Sequence, residues 1–138
     1  MGHTTIEWVY VGVVVAILAW VGAEAWVGEK VLEEIPEDAE TIKVTGQQWL
    51  WMFEHEDGTR EVGKLTLKAG KTYRFEVTSK DVIHSFNIPS HGVLIDAVPG
   101  RINEVWMEAI TPGEYLIQCR EYCGLLHYNM RAMLIIEE

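Results

Sequence analysis

Cys119-Arg120-Glu121-Tyr122-Cys123-Gly124-Leu125-Leu126-His127-Tyr128-Asn129-Met130 decides how the rest of the chain is read. It holds the only two cysteines of a 138-residue sequence, a histidine four residues after the second, and a methionine three further on. Thiolate, imidazole and thioether favour copper, zinc and iron–sulfur centres over magnesium or calcium. One more strong ligand is needed, and Asp81-Val82-Ile83-His84-Ser85-Phe86-Asn87-Ile88-Pro89 offers His84. The two stretches are far apart in sequence, so the chain between them must be a scaffold that brings His84 against the C-terminal loop.

Counting donors narrows the metal. A mononuclear blue copper takes one Cys, two His and a weak axial Met, which leaves one cysteine surplus. A structural zinc uses both cysteines and both histidines and leaves Met130 without a role. Two coppers use everything: two bridging thiolates, one histidine each, and weak axial contacts from Met130 and a backbone carbonyl between the cysteines. Such a centre has no open position for substrate and suits electron transfer. A disulfide between Cys119 and Cys123 is the plain alternative for an extracytoplasmic domain.

The loop pattern Cys-x-Glu-x-Cys-Gly-x-x-His-x-x-Met, with Asp81-Val82-Ile83-His84-Ser85-Phe86 and Asp96-Ala97-Val98-Pro99-Gly100-Arg101 before it, resembles the copper-A domain of haem-copper oxidase subunit II. Gly46-Gln47-Gln48-Trp49-Leu50-Trp51 resembles the aromatic segment of the same family, and the motifs stand in the family's order over residues 42 to 138. The resemblance implies a mainly β, cupredoxin-like Greek-key barrel or sandwich with its metal loops at one end. It implies a dinuclear copper-A centre with Cys119 and Cys123 bridging, His84 and His127 each on one copper, and Met130 and the Glu121 carbonyl as weak axial ligands. By the same resemblance the Glu121 side chain reaches a Mg2+ shared with a haem-bearing catalytic subunit I, and Trp49 receives electrons from cytochrome c or a similar soluble carrier. Glu54 and Asp81 match acidic positions near the docking face. Phe86 and Gln47 depart from the family's commoner Trp and His, and a single membrane helix points to a shortened subgroup. The implied function is electron acceptance for a terminal oxidase, with O2 reduced in subunit I. A copper-A subunit of a nitric oxide reductase and a stand-alone membrane-tethered copper carrier are the rival functions.

Composition sets the surroundings. The formal charge is −10, and all 11 Lys and Arg but only 19 of the 21 acids follow residue 28, leaving that segment at −8. In that segment the acids outweigh the cations that would neutralise phosphates, so nucleic acid is not an expected partner. A basic protein partner suits it.

Trp8 to Val27 is apolar except for Glu24. At ~1.5 Å per residue Trp8 and Trp26 stand ~27 Å apart, near the ~30 Å hydrocarbon thickness. Aromatic residues at both ends fit interfacial belts. Residues 1–7 contain no Lys or Arg, against a signal peptide. Residues 1–28 therefore read as a transmembrane anchor in the cell (inner) membrane, with residues 42–138 on the extracytoplasmic side as the family has it. Gly12, Ala16, Ala19 and Ala23 make one helix face small, as in helices that approach a neighbour closely in lipid.

Residues 29–41 read as an acidic linker in which Pro36 stops any helix. From Ile42 the pattern becomes short β-like runs: Ile42–His55 as one strand or a pair ending at Glu56-Asp57-Gly58, then Lys64–Leu67, Thr72–Thr78, Asn103–Ala109, Glu114–Gln118 and Arg131–Glu137. Short strands with regular turns indicate a Greek-key sandwich or barrel. His3, His55 and His91 are read as non-ligands, the last two in exposed turns.

Overall fold

The computed structural model describes residues 2–138, which divide into two compact units meeting at residues 34 and 35. The first is a single helix, α1, from Gly2 to Glu33, with its apolar side chains exposed. Among the described residues it is the one helix long and apolar enough to cross a membrane. It runs beyond the expected end at residue 28. Glu33 pairs with Lys30 at 3.0 Å in the last turn, and Pro36, which cannot donate to a helix, follows. Strand structure starts at Glu40, so residues 34–39 connect the two units.

The second unit is a two-sheet β-sandwich. Its strands are β1 (Glu40–Gln47), β2 (Leu50–Glu54), β3 (Arg60–Val62), β4 (Lys64–Lys68), β5 (Lys71–Ser79), β6 (His84–Ile88), β7 (Val93–Ala97), β8 (Asn103–Ala109), β9 (Gly113–Cys119) and β10 (Arg131–Glu137). One sheet has the order β3-β2-β1-β5-β8 and the other β4-β10-β9-β6-β7. Strands β1 and β5 are parallel, as are β4 and β10; the remaining ladders are antiparallel. The expected strands are present, and Ile42–His55 is the pair β1–β2.

Alternation builds the core. Ile42 and Val44 of β1, Tyr73, Phe75 and Val77 of β5, and Ala132, Leu134 and Ile136 of β10 all point inward. Each large side chain removed from water contributes roughly 1.5–3 kcal/mol. At the centre Phe86 meets Trp51 at 5.2 Å, Phe75 at 5.5 Å and Phe53 at 6.3 Å between ring centroids. The position where Phe stands in place of the commoner Trp is therefore a core position, filled by an aromatic cluster.

Strand β6 was not legible as a strand. All five of its residues are buried, between β7 on one side and β9 on the other. Its polar Asn87 is satisfied by donating to the Val93 carbonyl at 2.9 Å and accepting from Gln118 at 3.0 Å. Register then brings four connections to one end of the sandwich: the β1–β2 turn, residues 80–83, residues 98–102 and residues 120–130. Val44 pairs with Val77 in parallel, Val77 with Asn103, Phe86 with Cys119, and Gln118 with Arg131.

Candidate metal centre

His84 is the first residue of β6 and is fully buried. Cys119 is the last residue of β9, fixed beside β6 by the Phe86–Cys119 register. Met130 precedes β10, and the Cys119 N–H donates to its carbonyl at 3.1 Å, which closes the loop between them. Within the loop Gly124 takes φ +123°, and a 3-10 turn at His127–Asn129 returns the chain to β10.

These elements gather soft donors in one buried place. The Cys119 and Cys123 sulfurs are 3.8 Å apart, and both cysteines are free. That spacing is far beyond the ~2.05 Å of a disulfide bond, so the two sulfurs are not bonded to each other in this structure. His84 Nδ1 stands 4.0 Å from the Cys119 sulfur, and His127 Nδ1 stands 3.4 Å from the Cys123 sulfur. Met130 Sδ lies 3.7 Å from the Cys123 sulfur, and the Glu121 carbonyl 3.1 Å from that of Cys119. The ligand atoms of His84, Cys119 and Cys123 all lie within 4.8 Å of one another, close enough to hold a metal ion.

Burial, and next the Cys119 sulfur beside it, push the Cys123 thiol up to about 12. Metal binding must therefore displace its proton. The outer nitrogen of His84, Nε2, is 2.8 Å from Asp81 Oδ1. A carboxylate on the far nitrogen of a histidine ligand fixes its ring and tautomer. Burial raises the Asp81 carboxyl, but hydrogen bonds from the Gln48 N–H, the His84 ring and the Val82 N–H outweigh it and hold the group below its ordinary value.

A family model described as the cytochrome C oxidase subunit II periplasmic domain matches residues 61–137. The chain belongs to the cytochrome c oxidase subunit II family. A probable cytochrome c oxidase subunit 2 of Rickettsia prowazekii is 39% identical over 117 residues, covering 69% of this chain and 37% of that protein. The chain thus spans well under half the length of that relative. The periplasmic domain of subunit II of cytochrome oxidase (CoxB) of Bradyrhizobium japonicum superposes with a TM-score of 0.72 at 34% identity, covering 76% of this chain and 88% of that one. Subunit II in a mixed disulfide with the thioredoxin-like protein TlpAs gives 0.67 at 32% identity, covering 77% and 87%. The cupredoxin-like fold expected from sequence is the fold observed.

Trp49 is half-buried in the β1–β2 turn, against the metal loop. A Cβ built on Gly124 would come within 3.3 Å of its indole nitrogen and 2.9 Å of Gln48 Nε2. Glu54 is not gathered with these groups; it ends β2 away from that turn and accepts from Arg60 Nε at 2.8 Å. Asp81 faces His84, and the Glu121 side chain is exposed.

His55, read as exposed, is instead largely covered and bonded to Glu61 at 2.9 Å. His91 is half-buried, edge-on to Tyr115 at 4.8 Å. Sequence reasoning missed Gln48 and Gly46. A Cβ on Gly46 would stand 3.0 Å from Trp51 Cζ3 and 3.1 Å from His84 Cδ2, so its lack of a side chain gives the imidazole its place. The only signal was their position within Gly46-Gln47-Gln48-Trp49.

Proposed function

We propose that this chain is the electron-accepting subunit of a respiratory haem-copper oxidase, with a dinuclear copper-A centre held by Cys119, Cys123, His84, His127, Met130 and the Glu121 carbonyl. The observation that carries it is the pair of free, buried sulfurs 3.8 Å apart, each with one imidazole nitrogen beside it, at 4.0 and 3.4 Å. The donor chemistry fits copper: zinc would leave the Met130 thioether, 3.7 Å from the Cys123 sulfur, without a purpose. Bound there, the two coppers supply a one-electron store.

The chain's own residues define how that store is used. His84 and Met130 are fully buried, which leaves substrate no access beside them. Trp49 lies against Gly124, the residue after Cys123, and provides the approach for electrons from cytochrome c or a similar carrier. The exposed Glu121 side chain is available to a Mg2+ shared with haem-bearing subunit I, where oxygen is reduced. Helix α1 spans the inner membrane once, with the β-sandwich outside. The subunit II domain in the mixed disulfide shows a cysteine of that relative bonded to a thioredoxin-like protein.

Elemental analysis of the copper-loaded full chain in detergent tests this reading. Two coppers per chain and a purple colour are expected. One copper, or zinc alone, would overturn it.

A further inference from the structure

The ladder between β6 and β9 pairs Phe86 with Cys119 and Asn87 with Gln118, and one backbone bond beyond it runs from the Arg120 N–H to the Ser85 carbonyl at 3.1 Å. That is a thin connection for two segments whose ends carry His84 and the cysteines. The metal end is reinforced from the opposite sheet by one residue of the β1–β2 turn. The Gln48 backbone N–H donates to Asp81 Oδ2 at 2.7 Å, and its side-chain amide donates to the Cys123 carbonyl at 2.8 Å. Asp81 Oδ1 in turn accepts from the Val82 N–H at 2.7 Å and meets His84 Nε2 at 2.8 Å.

We propose that Gln48 and Asp81 are positioning residues that lock the two ligand-bearing stretches together and set which nitrogen of His84 turns toward the cysteines. An ionised carboxylate only accepts hydrogen bonds. The His84 nitrogen facing Asp81 is therefore the protonated one, and Nδ1, 4.0 Å from the Cys119 sulfur, keeps its lone pair for a metal. With the Gln48 N–H and the His84 ring on its two oxygens, Asp81 serves inside the site, in addition to whatever its charge offers a docking partner. The identity of the metal rests on the proposed function; the hydrogen-bond relay does not.

The test uses the full chain in detergent, both copper-loaded and metal-free. Asp81→Asn preserves shape but offers one acceptor and an NH2 group that opposes the His84 N–H. Copper release to a chelator should rise roughly 10- to 100-fold, the usual scale for losing such a partner. The visible spectrum should shift, and the 15N resonances of His84 in metal-free protein should leave the Nε2–H pattern. Gln48→Met removes only the arm to Cys123 and should give a smaller rise. The double variant should lose less than the product of the two, since both act through one connected network.

Unchanged release with an unchanged His84 tautomer in Asp81→Asn would overturn the proposal. So would independent, multiplicative effects, or a lowered unfolding midpoint with wild-type spectrum and release. A wild-type chain that binds no copper would defeat the proposed function, while the 15N measurement would still decide the relay.

Discussion

At the scale of single residues, the site depends on atoms that are absent as much as on ligands. Gly124 combines a left-handed φ of +123° with two neighbours that a Cβ would crowd, Gln48 Nε2 at 2.9 Å and Trp49 Nε1 at 3.3 Å. Gly124→Ala should lower stability by about 1–3 kcal/mol, the cost of holding such backbone without glycine. Urea unfolding of the metal-free chain measures it, and a wild-type midpoint would show that the loop relaxes freely. Met130 is the opposite case, a proposed axial ligand that should be replaceable. Its thioether is buried 3.7 Å from the Cys123 sulfur, and Leu fills a similar volume. Met130→Leu should keep the two coppers proposed above and shift the reduction potential, because a weak axial ligand tunes a copper rather than holding it. Loss of metal by elemental analysis would show that the thioether binds strongly.

At the scale of elements, the seam where the two sheets meet at β3 and β4 is clasped by one carboxylate beside a backbone bond from the Met133 N–H to the Gly63 carbonyl at 3.1 Å. Glu61 of β3 accepts from the Thr66 N–H at 2.9 Å and hydroxyl at 2.8 Å in β4, and meets His55, just past β2, at 2.9 Å. Burial raises the Glu61 carboxyl, but His55 and then Thr66 outweigh it, so its folded value lies below the ordinary 4.5. A lowered folded value contributes stability that is whole above the unfolded value and disappears as pH falls through the folded one. Unfolding of metal-free protein across that acid range should therefore lose stability faster in wild type than in Glu61→Gln; parallel curves would remove Glu61 from the account. This clasp was not legible in the sequence, because it depends on which strand of the second sheet adjoins the β2–β3 hairpin. The metal loop was legible because Cys119, Cys123, His127 and Met130 lie within one local stretch, where spacing alone constrains geometry. The strand β6 was hidden for the reverse reason. His-Ser-Phe-Asn-Ile alternates over only four residues, Ser85 to Ile88, and both its faces are buried, so its polar groups find partners only in the folded sandwich.

At the scale of the whole molecule, charge and site are separated. The chain carries a formal −10, yet the charged side chains of the four connections at the metal end are Lys80, Arg101 and Arg120 against Asp81 and Glu121. Asp81 is already engaged by His84 and Gln48, and Glu54 is paired with Arg60 away from the β1–β2 turn. Beside them Tyr122, Leu125 and Tyr128 are 75%, 80% and 71% exposed. The proposed cationic carrier would thus be attracted by the acidity of the molecule at long range and would meet a nearly neutral, apolar surface at contact. Long-range attraction is screened as the Debye length shrinks from ~30 Å at 0.01 M salt to ~3 Å at 1 M. With a lysine-rich cytochrome c as the probe, electron transfer to the copper-loaded chain should slow as salt rises. Arg120→Glu should then speed association at low salt, steepen the fall, and converge with wild type at 1 M, because only the field at the metal end has changed. Stopped-flow rates over that range, with the copper spectrum confirmed unaltered, decide the matter; a variant matching wild type at every salt concentration would mean that the carrier approaches another face.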